Sequence, residues 1–327
     1  MVDASNSPQP VAVVIVNFFT AEYLRRCLLA LTQQTHPADT VLVINNGDRP
    51  GALDFVAVHH PSVRVLDQDN IGFAAANNLA IAALDNQRWI ALLNPDAFPE
   101  PAWLEQLLLA AQEHPEIAVF SSQLLQANDT QILDGDGDSY HLSGLAWRHN
   151  HGRSIRHAGQ MREVFSACAA AALYRRDALM AVKGFDPAYF CYFEDIDLGF
   201  RLRLRGYRCL QVPAAKVHHV GSGASNGEKS SDFALYYGHR NLVWTFVKNM
   251  PGCWFWLLLP VHVLLNLIEI LWFAGKGRSK VMCRAKLDAV KAMPAIWAQR
   301  KIIQAERVAA PSSILKLMSF WPFTLDR

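Results

Sequence analysis

The chain has 327 residues, enough for one large α/β domain with an appendage or for two medium domains, and its nearly balanced formal charge of +2 does not suggest a general nucleic-acid binder. Its six cysteines (27, 168, 191, 209, 253 and 283) are scattered, with no CxxC, which excludes a zinc pattern or a disulfide framework and makes reduced thiols in a cytosolic compartment the expectation. Half of the residues are hydrophobic and nine are tryptophan, rich for a protein that works wholly in water.

The opening "MVDASNSPQP" carries an acid, no Lys or Arg and no apolar stretch, so no secretory leader is expected. Residues 11–16, "VAVVIV", are an apolar, β-branched run of the kind buried on both faces of a parallel sheet. "AEYLRRCLLALTQQT" follows as a helix with Leu24, Cys27, Leu28 and Leu31 on one stripe. "TVLVINNGD" and "VRVLDQDN" read as the second and third strands, "FAAANNLAIAALD" as a helix and "WIALLNPD" as the fourth strand. This alternation predicts a doubly wound sheet with ligands outside the carboxyl ends of its strands. Asn17, Asn45, Asn46, Asp69, Asn70, Asn94 and Asp96 all fall just after strand runs, so they should converge on one rim.

Residues 126–163 are polar, with "DGDGD" and "RHNHGRSIRHAG". Counted from Asp134 as a calcium loop, Ser139 stands where glycine is required and Leu145 where glutamate is. The stretch reads as a surface excursion whose histidines and arginines are solvated. Further on, "CWFWLLLPVHVLLNLIEILWFA" (253–274) is apolar except for His262, Asn266 and Glu269, long enough to just cross a bilayer core. Basic residues flank it on both sides (Arg240 and Lys248 before; Lys276, Arg278, Lys280, Arg284 and Lys286 after), which favours a surface-lying helix or a re-entrant pair broken at Pro260. Residues 281–306 mix Val290, Met293, Ile296 and Trp297 with Lys and Arg, an interfacial amphipathic pattern. A helical appendage packed on the catalytic domain is the plainer alternative.

Two stretches carry candidate chemistry. In "LLNPDAFPEP", Asp96 is either a turn residue or an oxygen ligand for a divalent cation that completes its shell with phosphate oxygens. In "AYFCYFEDIDLGFRLRLRGYR", Asp197 and Arg201 read as an ordinary i,i+4 pair. Glu194 and Asp195, set ahead of that turn behind aromatic residues, read as carboxylates with raised basicity. His218 and His219 end another strand-like run, and either could be a metal ligand, a diphosphate contact or a surface histidine. A cation to hold a diphosphate and a carboxylate to deprotonate a hydroxyl are what in-line displacement at an anomeric carbon requires.

The blocks "VAVVIVNF", "VLVINNGD", "NIGFAAANN", "LLNPDAFPEP", "GFDPAYFCYFEDIDLGFRLRLRGY" and "AAKVHHVGSG" together resemble, in order, the family 2 glycosyltransferases, in particular the rhamnosyltransferase-like branch that builds bacterial surface polysaccharides. The resemblance covers roughly residues 10–225. It implies a GT-A type α/β nucleotide-binding domain with a mostly parallel sheet over residues 1–228, followed by a helical, basic, Trp-rich, membrane-associated region over 229–327. It implies an inverting, non-processive transfer of one sugar from a nucleoside-diphosphate donor, dTDP-rhamnose being one candidate. The acceptor would be a glycan or a polyprenyl-diphosphate-linked sugar at the cytoplasmic membrane face, with no nucleic-acid partner. Carried over by position, Asp195 is the base, with Glu194 beside it. Asp96 ends the metal motif, and His219 joins it on a Mg²⁺ or Mn²⁺ ion. Asn17, Asn45 and Asn46 belong to the nucleoside pocket, and Asn70, Gly72 and Asn77 to the loop and helix beside the donor sugar and diphosphate. Two departures stand out: Asn45 where the family often has Asp, and Asn94 where its metal motif often begins with Asp. The competing reading is a non-catalytic nucleotide-sugar-binding or scaffold protein with the same fold.

Overall fold

The computed structural model describes residues 10–221 and 232–320. The opening segment, the expected domain boundary at 228/229 and the last two residues of "AAKVHHVGSG" lie outside the described residues. The strands in chain order are β1 (Val11–Asn17), β2 (Thr40–Asn46), β3 (Arg64–Gln68), β4 (Trp89–Leu93), β5 (Ala97–Pro99), β6 (Val119–Gln126), β7 (Asp129–Gly135), β8 (Asp138–Tyr140), β9 (Ala146–Arg148), β10 (Arg162–Glu163), β11 (Ala171–Arg175) and β12 (Cys209–His219). The helices are α1 (Ala21–Thr32), α2 (Asp54–His59), α3 (Phe73–Ala82), α4 (Trp103–Glu113), α5 (Arg176–Ala181), α6 (Glu194–Leu204), α7 (Asp232–Asn249), α8 (Gly252–Gly275), α9 (Ser279–Lys291), α10 (Met293–Ala305) and α11 (Pro311–Leu315).

β1 is apolar at successive positions because both of its faces are buried. Val11, Val13 and Ile15 enter one hydrophobic cluster, and Ala12, Val14 and Val16 enter another, because successive side chains of a strand point to opposite sheet faces. Helices therefore cover both faces, α1 and α4 over the first and α3 over the second. The main sheet runs β10-β12-β6-β11-β4-β1-β2-β3, with β5 added to β12 and β7 to β6. β3, β2, β1 and β4 are mutually parallel, while β11 is antiparallel to both of its neighbours. The expected α/β architecture with a mostly parallel sheet is present.

The polar excursion departs from expectation. Asp134, Asp136 and Asp138 are 3%, 1% and 4% exposed, because the chain folds back through β8 and β9 and brings partners to each. Arg162 and His149 hold Asp136, and Ser166 donates to Asp138. Arg148, His149, His151 and Arg162 of this segment are thus bonding partners of buried acids.

The C-terminal helices pack on the α/β unit, as in the plainer alternative of a packed helical appendage. Trp244, Phe246 and Met250 of α7 and its end share one cluster with Tyr140, Phe165, Ile196 and Phe200 of the α/β unit. Asn249 Nδ2 donates to Asp197 Oδ1 at 2.7 Å and Lys248 Nζ lies 2.8 Å from the same oxygen. α8 is one continuous helix through Pro260, so the re-entrant pair broken there is not formed. Its polar residues all turn inward: His262 bonds Ser143 O at 2.7 Å, and Glu269 pairs with Lys286 and His239. The opposite face, including Trp256, Leu257, Leu264, Leu267, Ile268 and Leu271, is exposed and apolar.

Candidate active site

A cleft of about 640 Å³ opens beyond the carboxyl ends of β1, β2 and β4. Asp96 reaches it from the β4–β5 turn, and Glu194 and Asp195 from the first turn of α6. Acids nearly a hundred positions apart thus share one cavity. Glu194 and Asp195 begin the helix rather than precede it, so the dipole of α6 acts on both.

Register explains the histidines. β12 pairs antiparallel with β5, setting His219 opposite Ala97 and His218 opposite Phe98. His219 therefore faces Asp96, with Nε2 3.5 Å from Oδ1, while His218 turns the other way to Glu100 at 3.1 Å. The other nitrogen of His219 bonds Asp134 Oδ2 at 2.7 Å. Burial opposes a charged His219, but its bonds to Asp134 and Asp96 outweigh that and hold its pKa up. Among the described residues no group of three or more His, Cys, Asp and Glu side chains forms an ion cage. One carboxylate and one imidazole fit a Mg²⁺ or Mn²⁺ ion that takes most of its shell from phosphate and water. The Asp134–His219 bond supplies the orienting partner that metal-bound histidines usually have.

The carboxylates of α6 lie in unlike surroundings. Burial pushes Asp195 above the ordinary carboxylate range, partly offset by the N–H groups of Ile196 (2.8 Å) and Ala169 (3.4 Å). Burial, and then the neighbouring Asp195, push Glu194 well above its ordinary value, and its Oε2 has no hydrogen-bond partner in the protein. Burial also penalises Asp197, but Arg201 and Lys248 outweigh it and hold that acid at about 2. The loop ahead of Glu194 is strained: Phe190, Tyr192 and Phe193 all have positive φ (65°, 64° and 67°), uncommon for non-glycine residues. Asn241 of α7, fully buried, ties it down by donating to the carbonyls of Tyr189, Cys191 and Tyr192 at 2.8–3.0 Å.

The amide residues divide. Asn46 and Asn70 line the cleft and brace each other at 3.3 Å, and Asn46 Oδ1 accepts from Ile71 N. Gly72 caps α3 at φ +83°, and an added Cβ would lie 2.5 Å from the Phe190 ring, so glycine is required there. Asn45 lines an adjoining cavity of about 910 Å³ with Asp48 and Asp67, and donates to Asp67 Oδ1 at 2.8 Å. Asn17 is fully buried beneath both, bonding Asp48 and Thr20, and lines neither. Asn77 is a correction: its buried amide donates to Phe73 O, one turn back in α3, and it does not line the cleft. Sequence reasoning missed Arg148, Phe233 and Tyr237, which all line the cleft. No local signal marks Arg148, because the burial of the acids in "DGDGD" shows only in the fold.

An α/β sheet with a nucleotide-sized cleft at its carboxyl rim, flanked by acids from two elements, is the frame of a nucleotide-sugar transferase. Residues 12–182 match the family described as Glycosyl transferase family 2, and the chain belongs to that family. It is 28% identical over 265 residues to the N-acetylglucosaminyl-diphospho-decaprenol L-rhamnosyltransferase of Mycobacterium tuberculosis, covering 74% of this chain and 85% of the relative. It is 24% identical to rhamnosyltransferase WbbL of Escherichia coli K12, covering 64% of this chain and 83% of that one. In fold it resembles mannosyltransferase PcManGT from Pyrobaculum calidifontis, solved with GDP-Man and Mn²⁺ (TM-score 0.53, 15% identity, 96% of this chain and 87% of that one). It also resembles GalNAc-T7 with UDP, GalNAc and Mn²⁺ (TM-score 0.54, 14% identity), matching 64% of this chain and 43% of that longer one.

Proposed function

We propose that the protein is an inverting, cation-assisted glycosyltransferase that adds one sugar to a lipid-linked acceptor at the cytoplasmic membrane face. The observation that carries this is Asp96, Asp195 and Glu194 around one cleft, with His219 buried behind Asp96. Asp195 takes the proton of an acceptor hydroxyl as that oxygen attacks the anomeric carbon. The bond from that carbon to the diphosphate breaks on the opposite side, inverting configuration and releasing the nucleoside diphosphate. Asp96 and His219 would hold a Mg²⁺ or Mn²⁺ ion, which when bound neutralises charge on the leaving diphosphate. Asn46, Asn70 and the N-terminus of α3 at Gly72 hold the donor, while the Asn45 cavity takes its base. Glu194, which lines the cleft beside Asp195, holds the acceptor.

The relatives' names supply the substrate class. A rhamnosyl donor and a polyprenyl-diphosphate-linked N-acetylglucosamine suit a cleft whose mouth carries Phe190, Tyr192, Phe233 and Tyr237. α8 follows α7 closely in the chain, and its exposed apolar face then lies in the lipid plane, so that the acceptor's headgroup is delivered alongside. Because α8 is tied down by Phe255, His262 and Glu269 over 14 residues, about 21 Å, we read it as lying on the membrane rather than crossing it. The test is transfer from dTDP-rhamnose to polyprenyl-diphosphate N-acetylglucosamine in liposomes with Mn²⁺. A disaccharide lipid carrying a single added sugar is expected. Donor binding without transfer to this or any other lipid-linked acceptor would instead favour the scaffold reading.

A further inference from the structure

The cleft is short of positive charge. Among the described residues that line it, Asp96, Glu194 and Asp195 are acids and Arg148 is the only lysine or arginine. A divalent ion balances the diphosphate of an intact donor. It leaves uncompensated the charge that builds on the oxygen as the bond to the sugar breaks.

Arg148 is set for that work by long-range pairing. It ends β9, in the fold-back that the sequence pattern shows only as a polar excursion. Its guanidinium pairs with the buried Asp134, and Nη1 lies 3.4 Å from Nδ1 of His219. Asp134 therefore grips Arg148 and His219 at once, fixing the guanidinium beside the Asp96–His219 pair. The Arg148 side chain keeps 32% exposure while Asp134 keeps 4%, so the pair has one sealed partner and one that faces the cavity. A planar fork with five donors can hold a carboxylate on one edge and still present N–H groups to phosphate oxygens.

We propose that Arg148 is a further catalytic residue, whose guanidinium contacts the donor diphosphate and stabilises the departing nucleoside diphosphate, with Asp134 as its positioning residue. This rests on the reading of the cleft as a donor site.

Calorimetric titration of the full chain with dTDP, UDP and GDP, each with Mn²⁺ and again in EDTA, tests it. For the tightest ligand, Arg148→Gln should weaken binding at least tenfold in both conditions. Arg148→Lys should recover part of the loss, and Mn²⁺ binding alone, followed by electron paramagnetic resonance, should be unchanged by Arg148→Gln. Asp134→Asn should weaken both Mn²⁺ and nucleotide binding, since Asp134 orients His219 as well. Where Arg148→Gln lowers the melting temperature, the Asp134→Asn/Arg148→Gln pair, which leaves no unpaired acid, should be compared with Asp134→Asn and lose a further tenfold in nucleotide affinity. Unchanged nucleotide affinity in Arg148→Gln, or a loss matched by an equal loss of Mn²⁺ binding, overturns the assignment to the diphosphate. Failure of the wild-type protein to bind any of the three nucleotides overturns the donor-site reading itself.

Discussion

Asp195 and Asp197 are two positions apart in one helix, yet their surroundings drive them in opposite directions. Asp197 is sealed against Arg201, Lys248 and Asn249, which makes it a structural anion at about 2. Its pKa is depressed below the unfolded value, so its contribution to stability is present above about pH 4 and lost as pH falls towards 2. The linkage is worth roughly 2 kcal/mol. Asp197→Asn should therefore lower the melting temperature at pH 7 and change it far less near pH 2, measured by calorimetry at both. Glu194 has the opposite sign. Its raised pKa gives stability that is present below its unfolded value and lost as pH rises through its folded one. Glu194→Gln should raise the melting temperature at pH 7 by about 2 °C and leave it unchanged near pH 4. An equal shift at both pH values would mean that the effect is packing rather than charge.

At the scale of elements, the strained loop 190–193 depends on α7. Asn241 donates to the carbonyl of Tyr189 just before it and to those of Cys191 and Tyr192 within it, acceptors that are costly to leave unmade. Asn241→Leu should cut the transfer rate about tenfold or more while nucleotide affinity stays within twofold, because the loop leads into α6 and the proposed base Asp195 rather than holding the donor's diphosphate. Parallel losses in rate and affinity would contradict that division. The outer face of α8 makes a separate test. Leu264→Asp with Leu271→Asp, both on exposed positions, should shift the protein from liposomes to solution without lowering its melting temperature. Unchanged liposome binding would remove α8 from the membrane reading. These elements also show what the sequence pattern can carry. β1, β2, α1 and α3 were legible because apolar spacing is local, and the carboxyl-rim position of Asp96 followed from it. The β7–β9 fold-back was not. Its buried acids are paired with Arg148, Arg162 and His149 at 10 or more positions' distance, and local polarity cannot distinguish that from a solvated loop.

At the scale of the whole molecule, the helical region is part of the enzyme's frame. α7 braces the base loop, Lys248 and Asn249 hold Asp197, and Arg300 of α10 donates to the carbonyls of Val247 and Met250 at the end of α7. Sequence reading saw a change of composition near residue 228 and drew a boundary there. The buried polar ties across it join residues more than 40 positions apart and leave no mark in composition. A raised Asp195 also sets the pH behaviour of catalysis. With Asp195 as the proposed base, transfer needs its ionised form, so the rate should climb as pH rises through a value above the usual carboxylate range. The account turns on that side chain taking a proton in the cleft that Asp96 shares. Its most direct test is Asp195→Asn, in which donor affinity should stay within about twofold while sugar transfer falls at least a thousandfold, as expected for loss of a general base of this kind. Transfer at the wild-type rate in that variant would contradict it.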